Sequence, residues 1–371
     1  MRATKILLSI AMATMAACQT NQSGDAPLSG AVARAQFAPV SEAALEKHIA
    51  ILSSDRFEGR EAGTPGGERT RAYLIAEMRR LGLEPLGGNY ALPVTLVSRT
   101  LDLEQSKVHV AMGRRTRKGR TRDFDELSFG SEAVFWTRRD RGRVSLQASK
   151  LVFAGHGIVA PEYGWNDYAG VDVRGKTVIV LINDPGFRRG GDLFGGKAMS
   201  YYGRWTYKFV EAARQGADGI LVIHQTEPAS YGWNVVSGPG SNRGLDLPAP
   251  PGSSQPLAIE GWITEEQAEA LFDAAGADFA ALEKAASQPG FQAQPLDGLS
   301  LSAELFQKRT KVLSANIAGV IPGTQYPDEY VLYTAHWDHL VATGSDFVFV
   351  DAEMIPVGRV KNILIRMLCA W

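Results

Sequence analysis

Cysteine is nearly absent: the 371-residue chain has two, Cys18 and Cys369, near its opposite ends. A disulfide framework and a four-cysteine zinc site are therefore excluded. Charge of one sign is missing too, since 39 Lys and Arg face 40 Asp and Glu for a formal net charge of −1. No overall field draws nucleic acid or an anionic membrane, and no nucleic-acid partner is expected. The one basic run, Arg114 to Arg122, is neutralised at once by Asp123, Asp125 and Glu126 and has no interleaved aromatic residues. It reads as a solvated loop. After the N-terminus no apolar run reaches the roughly 18 residues of a membrane span. Three catalytic signatures are also missing. There is no HExxH helix for a zinc peptidase and no GxSxG elbow for a serine hydrolase, and GTPGGERT lacks the Gly-Lys-Ser/Thr ending of a phosphate loop.

What remains is the composition of an ordinary globular protein, 45% hydrophobic and 21% charged. The length amounts to two or three domains of about 150 residues. Residues 1–18, MRATKILLSIAMATMAAC, carry Arg2 and Lys5 ahead of a short apolar run from Ile6 to Ala17. This is the pattern of an export signal. Met15-Ala16-Ala17-Cys18 resembles a bacterial lipobox, with Cys18 as the lipidated residue; the alternative is plain secretion with cleavage near Ala17. Residues 19–40 are small and polar and read as a flexible tether. The expected address is periplasmic or outer-membrane-anchored, with a membrane as partner only through that lipid.

Ser41 to Leu52 places Leu45, His48, Ile49 and Leu52 on one helical face, with Ser41 as N-cap and His48 partly buried. Glu68 to Leu81 repeats the helical spacing with Leu74, Ile75, Met78 and Leu81, and Gly82 closes it. From Leu151 the chain alternates in α/β fashion. Strand-like LVFAG and KTVIVLI precede a helix over Trp205 to Gln215, a buried strand GILVIH and a helix over Thr264 to Ala275. The stretch from Pro289 to Ser300 reads as a boundary. Val312 to Ile321 and Tyr330 to Ala335 are strand candidates, and the second runs directly into HWDHL.

Ligands of open α/β sheets bind beyond the carboxyl ends of strands, which is where His336, Asp338 and His339 stand. A neutral imidazole can ligate zinc while a neighbouring carboxylate orients it. The same HxDH can equally be a hydrogen-bonded strand end. His109, His156 and His224 lie within or at the ends of apolar strands and read as structural.

Three separated stretches share a family resemblance. LSSDRFEGREAGTPGGERTRAYLIAEMRRLGLEP resembles the N-terminal signature of the aminopeptidase-type zinc exopeptidases, metallopeptidase family 28. LVFAGHGIVAPEYGWNDYAGVDVRGKTVIVLINDPG, with GADGILVIH downstream, resembles the protease-associated domain inserted in members of that family. NIAGVIPGTQYPDEYVLYTAHWDHL resembles the segment that reaches the first zinc ligand. The resemblance implies an α/β fold with a mixed, mainly parallel sheet flanked by helices and an inserted β-rich α/β domain. Its layout would be 41–130 for the first part of the peptidase domain, 131–290 for the insertion and 300–340 for the start of the zinc core.

It further implies an exported di-zinc aminopeptidase that removes N-terminal residues from peptides or proteins, with two metals activating a bridging water. His336 matches the first zinc-binding histidine, and Asp338 the aspartate that supports the metal site. After Leu340 the pattern departs. Residues 341–371 lack the family's bridging Asp, Glu-Glu pair and later ligands, and no role transfers to Asp346, Asp351 or Glu353. The tail reads as a frameshifted or prematurely ended continuation, in which the catalytic domain is incomplete and inactive. The competing expectation is a non-catalytic envelope lipoprotein that binds peptides or proteins through the inserted domain. A metallo-β-lactamase-like hydrolase, a third class, is only half matched by HWDH.

Overall fold

The computed structural model describes residues 41–116, 119–238, 240–250, 252–253, 255–323 and 329–339, with the backbone alone for 113–116, 119–124 and 366–368. The export signal with Cys18, the tether, and Asp346, Asp351 and Glu353 lie outside the described residues. Two compact units are distinguished, 1–54 and Asp55–Trp371. In the first, α1 (Glu42–Leu52) has the expected cap: the Ser41 hydroxyl accepts from the Ala44 N–H. His48 is half-buried, while Leu45 and Ile49 are exposed.

The second unit begins with a kinked 3-10 segment, Asp55–Arg60, a short turn and α2 (Pro65–Arg80). The helix starts three residues before the expected Glu68. The Thr64 hydroxyl accepts from the Gly67 N–H at 3.2 Å, and Pro65 fills the first turn where a missing N–H costs nothing. The strands that follow are β1 (Ala91–Leu101), β2 (Lys107–Thr116), β3 (Gly119–Glu126), β4 (Ala133–Trp136), β5 (Arg143–Phe153) and β6 (Thr177–Leu181). Where it is described, at 114–116 and 119–122, the backbone of the basic run belongs to the antiparallel β2–β3 pair and is not the loop expected. Then come α3 (Trp205–Arg214), β7 (Gly219–His224), β8 (Arg243–Asp246), β9 (Ile259–Thr264), α4 (Glu265–Ala275), α5 (Phe279–Ala286), β10 (Gln294–Ile317) and β11 (Thr334–His336).

The architecture is a mixed sheet flanked by helices. Parallel ladders join β5 to β6, β6 to β7 and β7 to β9, whereas β1, β2, β4 and β8 pair antiparallel with their neighbours. The expectation of a mainly parallel sheet is therefore corrected. Parallel strands need helices on both faces, and the described helices give that cover only at β6, β7 and β9. β6 and β7 are buried throughout, as their apolar runs require, and β9 is buried up to Ile263, with its one acid, Glu260, paired with Arg138. Alternate residues enter two cores. Ile179, Leu181, Leu221 and Ile223 join Phe153 and Phe272 on one face, and Val178, Val180, Ile220 and Val222 join Phe209 on the other.

Strand β10 ties the unit together. Its first half pairs with β5 and β2, its second half with β1. It starts at Gln294, so the Pro289–Ser300 segment expected as a boundary is half strand. Alternation supplies the reason: Leu299, Leu301, Ala303 and Leu305 are buried, with Ser300, Ser302 and Glu304 between them. The expected strand from Tyr330 is reduced to Thr334–His336, whose one described partner is the backbone of Arg366–Leu368, in parallel. Among the described residues no strand lies beside Tyr330, Val331 or Leu332, and all three are exposed.

Candidate functional site

The site residues are set by a contact between segments far apart in sequence. The Arg60 Nε–H donates to the Trp337 carbonyl at 3.1 Å across 277 positions. Both sides are held firmly. On the N-terminal side, Glu58, Gly59 and Arg60 all take left-handed φ, 49°, 74° and 64°. That conformation is costly for Glu and Arg and persists only where surroundings over-determine it. The surroundings here are close. A Cβ on Gly67 would stand 2.4 Å from the Glu61 carbonyl and 3.4 Å from the Trp337 ring. Only glycine lets the first turn of α2 come this near.

On the C-terminal side the Trp337 ring is buried with Leu74, Met78, Leu96, Ala315 and Ile317, and its Nε1–H donates to the Ala315 carbonyl at 3.3 Å. The same segment brings Asp338 and His339 within reach of the Arg60 charge. Asp338 is 8% exposed. Burial pulls the Arg60 pKa down, and the charge of Asp338 opposes that shift. The His339 pKa is lowered, first by burial and then by the Arg60 charge.

His336 is exposed, with 57% of its side chain open to solvent. Its Nδ1 lies 2.7 Å from the Asp338 carbonyl oxygen. A carbonyl only accepts, so Nδ1 donates, and in the neutral ring Nε2 is the nitrogen with the free lone pair. This is the tautomer in which an imidazole accepts a metal ion or a proton, its orientation fixed by the backbone. The nearest Asp338 carboxylate oxygen is 3.8 Å from Nδ1. A catalytic zinc takes about three protein ligands, and the described residues supply only His336 and Asp338 at this position. Among the described residues no group of three or more His, Cys, Asp or Glu side chains is placed to hold a metal ion. What the arrangement offers is one oriented imidazole above a buried carboxylate and a guanidinium.

Sequence reasoning singled out His336 and Asp338, and these are side by side here. It passed over Arg60, for which the available signal was the glycine-rich EGREAGTPGG loop with its need for left-handed backbone. The remaining histidines fall as read, His109 within β2, His224 at the end of β7, and His156 buried. A second polar cluster was missed entirely. Lys208 on α3 is fully buried, and its Nζ donates to the carbonyls of His156 and Asn183, both at 2.7 Å, and Tyr202 at 3.4 Å. Burial lowers its pKa to about 7, against the pull of Asp167 and Asp184. Burial also raises Asp167 to about 7.

Comparison with known proteins adds little. No family model and no curated protein matches the chain. Among solved structures it is similar to an aminopeptidase from Aneurinibacillus sp. strain AM-1, at 17% identity and a TM-score of 0.36, over 79% of this chain and 52% of that one. The chain spans about half the length of that structure, and a likeness at this level carries no inference to activity. No helix among the described residues is long and apolar enough to cross a membrane.

Proposed function

We propose that this chain is an aminopeptidase-like hydrolase of peptides, with His336 at its first metal-binding position and a protease-associated-like insertion over residues 131–290. One observation carries the reading. The first and last of the three family-like sequence blocks, read independently, meet through Arg60 and Trp337. Beside that contact His336 presents a bare Nε2 to solvent. Export with a lipid on Cys18 belongs to the same reading and rests on the sequence of residues 1–18 alone.

A second reading, a peptide-binding module without hydrolysis, follows if the one imidazole and one carboxylate placed here among the described residues are the whole donor set. Zinc stoichiometry and release of leucine from leucyl p-nitroanilide, measured on the whole chain and on His336→Ala, separate the two. Retained zinc and hydrolysis that both vanish in the variant support the hydrolase. No retained zinc and no hydrolysis, with peptides still bound, leave the binding module. Hydrolysis unchanged in His336→Ala overturns the assignment of His336.

A further inference from the structure

Residues 131–290 do not stand apart from the His336 region, because one of their strands crosses to it. Strand β8 pairs antiparallel with β1, Arg243 opposite Thr100 and Asp246 opposite Val97. Just ahead of it, the Asn242 carbonyl accepts from the Leu101 N–H at 2.8 Å. Side chains add to this ladder. Asp246 pairs with the buried Arg99 of β1, and Arg99 also donates to the Thr137 carbonyl at 2.6 Å, at the end of β4. Strand β8 is thus held by backbone and side chain alike, and so is whatever it presents.

Arg243 and Leu245, two apart on the strand, point to the same face of the sheet. Leu245 is buried in one core with Ala62 and Trp337. Arg243 pairs with Glu61, Nη2 to Oε1 at 3.0 Å. Glu61 stands between two residues that meet Trp337: Arg60 donates to its carbonyl at 3.1 Å, and Ala62 joins its core. The second carboxylate oxygen of Glu61, Oε2, is buried and has no hydrogen-bond partner among the described residues. A carboxylate in that position leans on the ion pair it has, and breaking the pair leaves a partly buried charge uncompensated. The loop it belongs to is also the one whose left-handed residues, Glu58 to Arg60, persist only while their surroundings hold them.

We infer that Arg243 is a positioning residue for His336. Through Glu61 and Arg60 it fixes the Trp337–Asp338 backbone, and the Asp338 carbonyl is what orients the His336 ring. Strand β8 is then a brace built into the site, and the segment that carries it is not a lid free to swing away. Such bracing is independent of hydrolysis, since a chain that only binds peptides would show it equally.

The test follows the histidine rings of the whole chain by long-range proton–nitrogen NMR in Arg243→Gln, in Arg243→Glu and in the charge-swapped double variant Arg243→Glu with Glu61→Arg. His156, whose ring is held elsewhere in the fold, is the internal control. In both Arg243 variants the ratio of Nδ1–H to Nε2–H tautomers at His336 should fall about fivefold, the worth of one hydrogen bond, while His156 keeps its tautomer. The double variant should recover most of that ratio, which identifies the pair rather than general loosening as the cause. An unchanged ratio at His336 in both Arg243 variants overturns the inference, and so does a double variant that recovers nothing while His156 is unchanged. Should Arg243→Glu disturb His156 as well, Arg243→Gln decides alone, a fallen His336 ratio supporting the brace and an unchanged one refuting it.

Discussion

Two imidazoles in this molecule are held in the same way and differ in what surrounds them. His156 Nδ1 donates to the Asn183 carbonyl at 3.2 Å, and His336 Nδ1 donates to the Asp338 carbonyl at 2.7 Å. Each is left with a bare Nε2. In His156 that nitrogen is buried and has no partner, and burial with the Lys208 charge alongside lowers the pKa to about 3. In His336 it faces water. An open lone pair becomes chemistry only where a ligand can reach it, so the same hydrogen bond locks a core at one place and poises a site at the other. The two neighbourhoods differ in the same sense. Around His156 the Lys208 ammonium is taken up by three backbone carbonyls inside the protein, whereas the His336 ring is open to solvent.

The comparison is broken most forcefully at Lys208. Lys208→Ala strips the ammonium from three carbonyls and leaves Asp167 and Asp184 buried without their cation, a loss of about 3–5 kcal/mol. Urea unfolding should show it, and a loss below about 1 kcal/mol would mean that the charge is not buried in solution. The same cluster sets a pH dependence. Asp167, raised to about 7, adds stability that is complete below its unfolded value near 3.8 and lost as the pH climbs to 7. Lys208, lowered to about 7, carries a cost below pH 7 that is relieved between 7 and its unfolded value near 10.4. Stability from this pair therefore dips near neutral pH. Asp167→Asn should flatten the fall between pH 4 and 7, and a parallel fall in both proteins would contradict the assignment.

Smaller effects belong to the His336 side. Gly67→Val pushes a side chain into the Glu61 carbonyl and the Trp337 ring and should cost about 1–3 kcal/mol, with a shifted tryptophan emission. Arg60→Ala removes one hydrogen bond to a carbonyl and should cost about 1 kcal/mol. His336→Ala, at an exposed ring, should move the unfolding midpoint by less than about 0.5 kcal/mol. A large loss there would make His336 structural and erase the contrast with His156.

The sequence was legible where the physics is local. GILVIH and KTVIVLI are buried runs because helices cover both faces of their strands, and Ser41 caps its helix as its position suggests. Where long-range contacts decide, it was not. Glycine- and proline-rich letters around Pro289 look like a linker, yet the residues from Gln294 find β5 as a partner. YVLYTA looks like a buried strand, yet burial needs neighbours that the described residues do not provide. Lys208 could have been noticed, since on a helix it shares a face with Phe209 and Ala212, both of which are buried. Arg60 could not have been paired with Trp337 from spacing alone.

The most direct test of the contrast is a long-range proton–nitrogen NMR spectrum of the histidine rings, recorded as zinc is titrated into the whole chain. His336 is expected to start as the Nδ1–H tautomer and to show its Nε2 resonance move with zinc, while the Nε2 of His156 stays where it is. A His336 ring protonated on Nε2, or a zinc response at His156 with none at His336, would contradict the account.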